Sequence, residues 1–160
     1  MVYQFTLEEA FEILKTGDVD TRAEAIKYLG EERYAPAVAR LAQILADADP
    51  GTRFLAAQAL GKIGDEAESA IVPLLQALRA DDMYLRMAVT GALINIGHPA
   101  VPGLVKALFD RNKAVRRAAA KALGKIGSQR AIKPLQVAVK DGDSSVRKMC
   151  QEALARLQAS

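Results

Sequence analysis

Hydrophobic positions recur along this chain with a period close to 31 residues. Five arginines mark the period: Arg22, Arg53, Arg86, Arg116 and Arg147, which are 31, 33, 30 and 31 residues apart. The positions one before each arginine and three, six, seven and ten after it are almost all apolar. At 100° per residue these offsets lie on one stripe of an α-helix. The pattern therefore predicts five amphipathic helices.

Each of these helices has a start signal and a stop signal. An Asp or Asn stands four residues before every arginine, where its side chain is a natural N-cap. The stretch ALGKIG occurs at residues 59–64 and again at 122–127, with ALINIG at 92–97. We expect the glycines of the LG and IG pairs to end the helix. A shorter amphipathic run precedes each long helix, and Thr6 with Glu9 predicts a capping box on the first one.

A repeat of this length predicts stacked supersecondary units. We expect an all-α fold, an α-solenoid of five antiparallel helix pairs that dock on one another in the same way. The chain then forms one domain, with pairs at approximately residues 5–31, 35–64, 68–97, 99–127 and 130–158.

The repeat resembles that of a known family. The pattern D-x-x-V-R-x-x-A-A-x-A-L-G-x-I-G followed by A-I-x-P-L is clearest at residues 112–135 and 49–74. It resembles the HEAT-like repeat of the phycobilin (phycocyanobilin) lyases and their relatives, which implies a HEAT-like solenoid. The resemblance also implies a phycobiliprotein or phycobilisome component as partner. The first unit departs from the pattern, because Glu32 and Arg33 stand where Ile-Gly is expected.

Residues that recur in every unit indicate architecture rather than function. Asp and Arg four apart at a helix start can pair with each other and with the next unit. We therefore predict a structural ladder that sets the stacking angle of the units. Its members are Asp18, Arg22, Asp49, Arg53, Asp82, Arg86, Asn112, Arg116, Asp143 and Arg147.

Function is expected where the units differ, on the outward face of the long helices that lines the concave side of such arrays. Three large side chains gather on two of these helices, and contiguous exposed apolar surface marks contact sites. A row of basic residues follows on the next two helices. The predicted partner-binding residues are Phe54, Tyr84, Met87, Lys113, Arg117, Lys121, Lys125 and Lys148.

Charge is distributed unevenly and changes the choice of partner. Residues 1–80 carry 8 Lys/Arg against 13 Asp/Glu, and residues 81–160 carry 14 against 6, for a net charge of +3. A basic half favours a partner with an acidic surface. No apolar run reaches the roughly 20 residues of a membrane helix. A single cysteine and no recognisable leader favour a soluble, cytoplasmic protein without a membrane partner.

The residues predict no self-sufficient catalytic apparatus, cofactor or metal site. Cys150 occupies a column of buried Ala and Val, so we expect a core thiol. His98 is the only histidine, in a predicted loop. HEAT-like deoxyhypusine hydroxylases hold two irons with His-Glu pairs, and no such dipeptide occurs here. No Gly-rich phosphate loop or zinc spacing is present.

Three functions follow in order of preference. The first is a non-catalytic scaffold that binds another protein on its concave face. The alternative is a phycobilin lyase or lyase subunit, in which basic residues hold the bilin propionates and Tyr84 or Phe54 stacks on the tetrapyrrole. The third is a nucleic-acid binder that uses the basic row, which the acidic first half and the few aromatic residues disfavour.

Overall fold

The computed structural model describes residues 4–46 and 49–159 of the chain. Over these residues the chain forms ten α-helices and no strand. Short 3₁₀ turns lead directly into the second, third, fourth and fifth short helices. The α-helices are α1 (Leu7–Thr16), α2 (Val19–Glu31), α3 (Val38–Ile44), α4 (Pro50–Ile63), α5 (Ile71–Ala77), α6 (Met83–Ile96), α7 (Val101–Ala107), α8 (Lys113–Ile126), α9 (Ile132–Ala138) and α10 (Ser144–Ala159).

The helices stack as pairs, each made of an odd-numbered helix and the even-numbered helix that follows it. Each even-numbered long helix also packs on the long helix of the next pair, so contacts run between neighbouring units. The predicted fold class, an α-solenoid of HEAT-like antiparallel pairs, is confirmed. The single-domain organisation and its pair boundaries stay a prediction.

The predicted apolar stripe forms the core. The residues three places after each arginine are fully buried in all five units, and the leucines seven places after are buried in the first four. Cys150, three places after Arg147, is one of these fully buried residues, as expected for a core thiol. One continuous apolar core therefore runs through the stack, which is why each unit depends on its neighbours.

The helix ends follow the sequence signals in part. Asp18, Asp49, Asp82 and Asn112 cap their helices by accepting backbone N–H groups through the side chain. The glycines of the IG pairs end α4, α6 and α8 with positive φ angles of 76°, 82° and 79°. Arg33 holds the same place in the first unit, at φ 51°. Its guanidinium Nη2 donates to the carbonyl of Ile63, 3.1 Å away at the end of α4.

The glycines of the LG pairs do not end helices, contrary to expectation. Gly30, Gly61 and Gly124 lie buried inside α2, α4 and α8. A Cβ atom added to them would lie 2.8, 3.1 and 2.7 Å from atoms of Ala59, Ala92 and Ala153 in the following long helix. Their role is to let consecutive long helices touch backbone to backbone, and the repeat retains them for packing.

The junction between α6 and α8 differs from the other three. Ile94 holds the position that Gly30, Gly61 and Gly124 hold in their units, eight residues after the arginine. Its branched side chain packs partly buried against the core. At this junction α6 and α8 approach each other less closely along their length than the other consecutive long helices do.

The arginines bond to backbone carbonyls rather than to the carboxylate four residues earlier. Each one donates to a carbonyl oxygen in the segment between its own long helix and the short helix before it. Among the described ion pairs none joins an arginine to the aspartate four residues before it. The predicted pairing within a unit is therefore wrong. The physical reason is that the carboxylates are already committed to the helix N-termini.

No single helix in the described ranges is long and apolar enough to cross a membrane. The pair Met83–Ile96 and His98–Ala107 reaches that length and composition only together, across a bend of 115°. Its apolar residues Leu85, Val89 and Leu93 are buried in the solenoid core.

Candidate functional site

The predicted apolar residues differ in their exposure to solvent. Tyr84 and Met87 point outward from α6, with 67% and 58% of their surface exposed. Phe54, on α4, is only partly exposed. The expectation of an outward-facing side chain thus holds for the two residues of α6 and only in part for Phe54. Met83, one residue before Tyr84, is also exposed, and the sequence pattern did not identify it as a candidate.

A groove of about 380 Å³ lies between α6 and α8, open to solvent on the outward face of the long helices. It brings together Met87, Arg117 and Lys121, three of the residues predicted to bind a partner. We call it the α6–α8 groove and define it by its lining residues: Met83, Arg86, Met87, Thr90, Ala114, Arg117, Ala118, Lys121 and Met149.

The α6–α8 groove combines an apolar surface with positive charge. Met83, Met87 and Met149 supply flexible thioether side chains, which adapt to the shape of an apolar ligand. Two polar groups of the lining are already engaged. The Arg86 guanidinium donates to the carbonyl of Ala80, and the Thr90 hydroxyl donates to the carbonyl of Arg86 at 2.7 Å.

The available cations of the groove are therefore Arg117 and Lys121. Both side chains are exposed, and no described ion pair involves either of them. They stand one helical turn apart on α8, so their charged groups can reach the same ligand. The arrangement is suited to an elongated apolar molecule that carries negative charge at its edge.

The rest of the basic row is less free than the sequence indicated. Lys113 Nζ lies 3.4 Å from the carboxylate of Asp143, so part of its charge is neutralised. Lys121 and Lys125 line a smaller groove of about 90 Å³ between α8 and α10, together with Glu152. Asp143 and Glu152 therefore place acidic groups beside the basic row. Lys148 is exposed on α10 but lines neither groove.

Methionine usage was the signal that could have located the groove. The chain has four methionines, and three of them, Met83, Met87 and Met149, line it. Met83 and Met149 stand three residues before and two residues after the arginines of their units, and both line the α6–α8 groove.

The described residues offer no second chemical centre. Burial raises the pKa of the Cys150 thiol to about 11, which keeps it protonated and unreactive at neutral pH. His98 is exposed at the start of a 3₁₀ turn. No group of three or more metal-ligating side chains occurs in residues 4–46 or 49–159.

Comparison with known proteins gives three informative matches. A family model described as HEAT repeats matches residues 7–72 and 71–155. The deoxyhypusine hydroxylase of Xenopus laevis is 37% identical over 105 residues, covering 64% of this chain and 34% of that protein. The phycocyanobilin lyase subunit alpha of Synechococcus elongatus is 34% identical over 143 residues, covering 89% of this chain and 41% of that protein. The chain thus spans less than half the length of these two curated relatives.

The solved structures include a longer solenoid of the same kind. A chain in the complex of CpcE and CpcF of phycocyanin lyase from Nostoc sp. PCC7120 superimposes with a TM-score of 0.70 at 28% identity. The match covers 99% of this chain and 67% of that chain. The resemblance to the HEAT-like repeat of phycobilin lyases, stated from the sequence, is confirmed.

Proposed function

This chain belongs to the HEAT repeat family, and on that premise we propose that it is a phycobilin-lyase-type subunit that binds a bilin in the α6–α8 groove and acts with a partner protein. The sequence alone favoured a scaffold function, and we now prefer its alternative, a phycobilin lyase subunit. One observation carries it: the α6–α8 groove has an apolar methionine lining and two exposed cations at its side.

A bilin matches this groove in chemistry. It is an elongated, largely apolar tetrapyrrole that carries two propionate groups. A volume of about 380 Å³ is within the range of sites that hold small organic ligands. Arg117 is suited to one propionate, because a guanidinium binds a carboxylate through two parallel hydrogen bonds. Lys121 supplies a point charge for the second one.

The role of these residues is binding and orientation rather than acid–base chemistry. Met83, Met87 and Met149 would contact the apolar faces of the tetrapyrrole, and the two cations would fix its edge. Tyr84 and Phe54 do not line the α6–α8 groove. We therefore do not retain the stacking role that the sequence suggested for them. Groups that transfer the bilin would come from the partner protein.

The scaffold function keeps one supporting observation. Tyr84 is 67% exposed on the first turn of α6, beside Met83, which is 55% exposed. Large exposed side chains with charge around them are typical of protein contact sites. We assign this surface to the partner protein and the adjacent groove to the bilin. A nucleic-acid partner is disfavoured, because Lys113 is paired with Asp143 and Glu152 lies among the remaining cations.

The test is a titration of phycocyanobilin, followed by its absorbance. The wild-type chain should change the spectrum of the pigment, since a bound bilin loses conformational freedom. Lys121→Gln should weaken binding about tenfold, as expected for loss of one charge-assisted hydrogen bond, and Arg117→Gln should weaken it at least as much because it removes two. Tyr84→Ala should leave bilin binding unchanged and weaken association with a partner captured from a phycobilisome-containing lysate.

The matched controls are Lys106→Gln and Lys133→Gln. Both lysines are exposed on short helices, α7 and α9, and neither lines the groove. Each control removes the same charge as Lys121→Gln. Equal weakening by all the lysine variants would reduce the effect to net charge, and an unchanged spectrum with the wild-type chain would refute the proposed function.

A further inference from the structure

The α6–α8 groove lies at the one junction where the packing glycine is missing. At the three other junctions Gly30, Gly61 and Gly124 face an alanine of the next long helix. In two of these a Cβ atom on the glycine would lie within 2.9 Å of the alanine Cβ. Real side-chain atoms do not approach so closely, so any larger residue at this position forces the helices apart.

Ile94 is that larger residue. It stands at the glycine position of α6, and the periodicity places Ala122 of α8 opposite it, as Ala59, Ala92 and Ala153 stand opposite the glycines. Ala122 is fully buried, and Ile94 packs against the core. Helix axes lie about 8–10 Å apart, according to the side chains at the contact. Replacing a hydrogen atom by a four-carbon side chain therefore moves α6 toward the wide end of this range.

The neighbouring junctions provide the comparison. The groove between α8 and α10, where Gly124 meets Ala153, measures about 90 Å³. The groove between α4 and α6, where Gly61 meets Ala92, measures about 270 Å³ and is shallower. The α6–α8 groove measures about 380 Å³ and lies nearer the N-terminal ends of its two helices, whereas the other two grooves include the glycine and the alanine of their junctions. Its lining is also the one that has three methionines.

We infer that Ile94 is a positioning residue that holds α6 and α8 apart and so sets the width of the α6–α8 groove. Ile94 lies outside the groove lining, so it acts through the spacing of the helices rather than by contact with a ligand. Together with the proposed function, on which this part of the inference rests, the width set by Ile94 determines whether a tetrapyrrole fits between Met87 and Arg117.

The experiment restores the glycine and measures the spacing directly. Crystal structures of the wild-type chain, Ile94→Gly, Ile94→Ala and Ile94→Val give the α6–α8 axis distance. We expect it to shorten by about 1–2 Å in Ile94→Gly, by less in Ile94→Ala, and to stay unchanged in Ile94→Val. The α4–α6 distance across Gly61 and Ala92 is the internal control and should not change. Ile94→Ala keeps a good helix former and serves if the glycine variant fails to fold.

Phycocyanobilin titration of the same four proteins supplies the second measurement. Ile94→Gly should bind the pigment about tenfold more weakly than the wild type. Ile94→Val should bind it as tightly as the wild type does. An unchanged α6–α8 distance in both the glycine and alanine variants overturns the inference, whatever their affinity. A shortened distance in a chain whose wild type does not bind the pigment supports the role of Ile94 and refutes the bilin function instead.

Discussion

The five arginines that mark the repeat have unequal surroundings. Arg53 donates from Nε to the carbonyl of Leu45 at 2.8 Å. Arg116 donates to the carbonyl of Asp110 and also holds both carboxylate oxygens of Asp141, at 2.7 and 2.9 Å. Both Arg116 and Asp141 are largely buried, and each holds the other in its charged form. The same position of the repeat therefore has two roles. Arg53 binds a loop carbonyl within its own unit, whereas Arg116 also links its unit to the next one through Asp141.

Replacing these two arginines should separate their contributions. Arg116→Ala should lower the free energy of unfolding by about 2–3 kcal/mol, because the buried carboxylate of Asp141 loses its partner. Arg53→Ala should cost about 1 kcal/mol, the net value of one hydrogen bond. Urea denaturation followed by circular dichroism measures both. Equal losses in the two variants would show that the ion pair adds nothing to the carbonyl contact.

Acid should destabilise the fold through the same cluster. The hydrogen bond from the Ser145 hydroxyl is the largest cause that lowers the pKa of Asp143 to about 2, and Arg116 lowers the pKa of Asp141. A folded pKa below the unfolded one stabilises the protein fully above the unfolded value, and this stability is lost as the pH falls through the folded value. The melting temperature should therefore fall steeply between about pH 4 and pH 2.

The variant Asp143→Asn tests the assignment. It should melt at a lower temperature at pH 7 and lose less stability than the wild type between about pH 4 and pH 2. Asp81→Asn, at an exposed position, is the control and should follow the wild-type profile. Parallel acid profiles for the wild type and Asp143→Asn would place the acid sensitivity elsewhere.

At the scale of the helix, the sequence predicted the elements well because their signals are local. A period of 3.6 residues, an N-cap carboxylate and a left-handed glycine all act within one or two turns. The two glycines of ALGKIG look alike in this respect, yet Gly64 ends α4 at positive φ and Gly61 packs inside it. Distinguishing them requires the identity of the residue opposite, Ala92, which lies on another helix.

The candidate site was predictable only in part for the same reason. Outward orientation follows from the angle around one helix, and three residues selected in this way, Met87, Arg117 and Lys121, line the α6–α8 groove. Their role in binding a partner stays a prediction. The spacing of two helices depends on residues of both helices. The periodicity of α6 alone therefore could not indicate a role for Ile94. The ion pair of Lys113 with Asp143 crosses from α8 to the start of α10 and was missed likewise.

Two glycines of this chain provide a matched test of helix packing. Gly124→Ala should lower the free energy of unfolding by about 1–3 kcal/mol, since its Cβ atom would meet the Cβ and Cα of Ala153 at 2.7 and 2.8 Å. Gly91→Ala should raise it by about 0.5–1 kcal/mol, because nothing lies within 4 Å and alanine is the better helix former. Chemical denaturation compares them. A destabilised Gly91→Ala would contradict the assignment of open space there.

At the scale of the whole molecule, the candidate site belongs to a junction between units rather than to any unit. The α6–α8 groove takes residues from three consecutive long helices, α6, α8 and α10. Neighbouring units hold one another by short-range contacts, so a unit outside this region should be dispensable for folding and for binding. Because the units repeat, a whole unit can be deleted so that a glycine of one long helix again faces an alanine of the next.

Deleting residues 34–64 or residues 65–97 should give two folded proteins that differ in function. The first deletion brings Gly30 opposite Ala92 and keeps all groove residues. The second brings Gly61 opposite Ala122 and removes α6 with its part of the groove. Both should melt cooperatively as helical proteins, and only the first should bind phycocyanobilin. Binding by the second protein would place the ligand site outside the α6–α8 groove.

The split of charge between the halves has a consequence for motion as well as for contact. Stacking the units in chain order separates a net −5 in residues 1–80 from a net +8 in residues 81–160. The protein is therefore a permanent electric dipole directed along its own superhelix. Near a negatively charged assembly such a dipole experiences a torque before it touches the surface. It rotates so that its second half, which contains the α6–α8 groove, faces the negative surface.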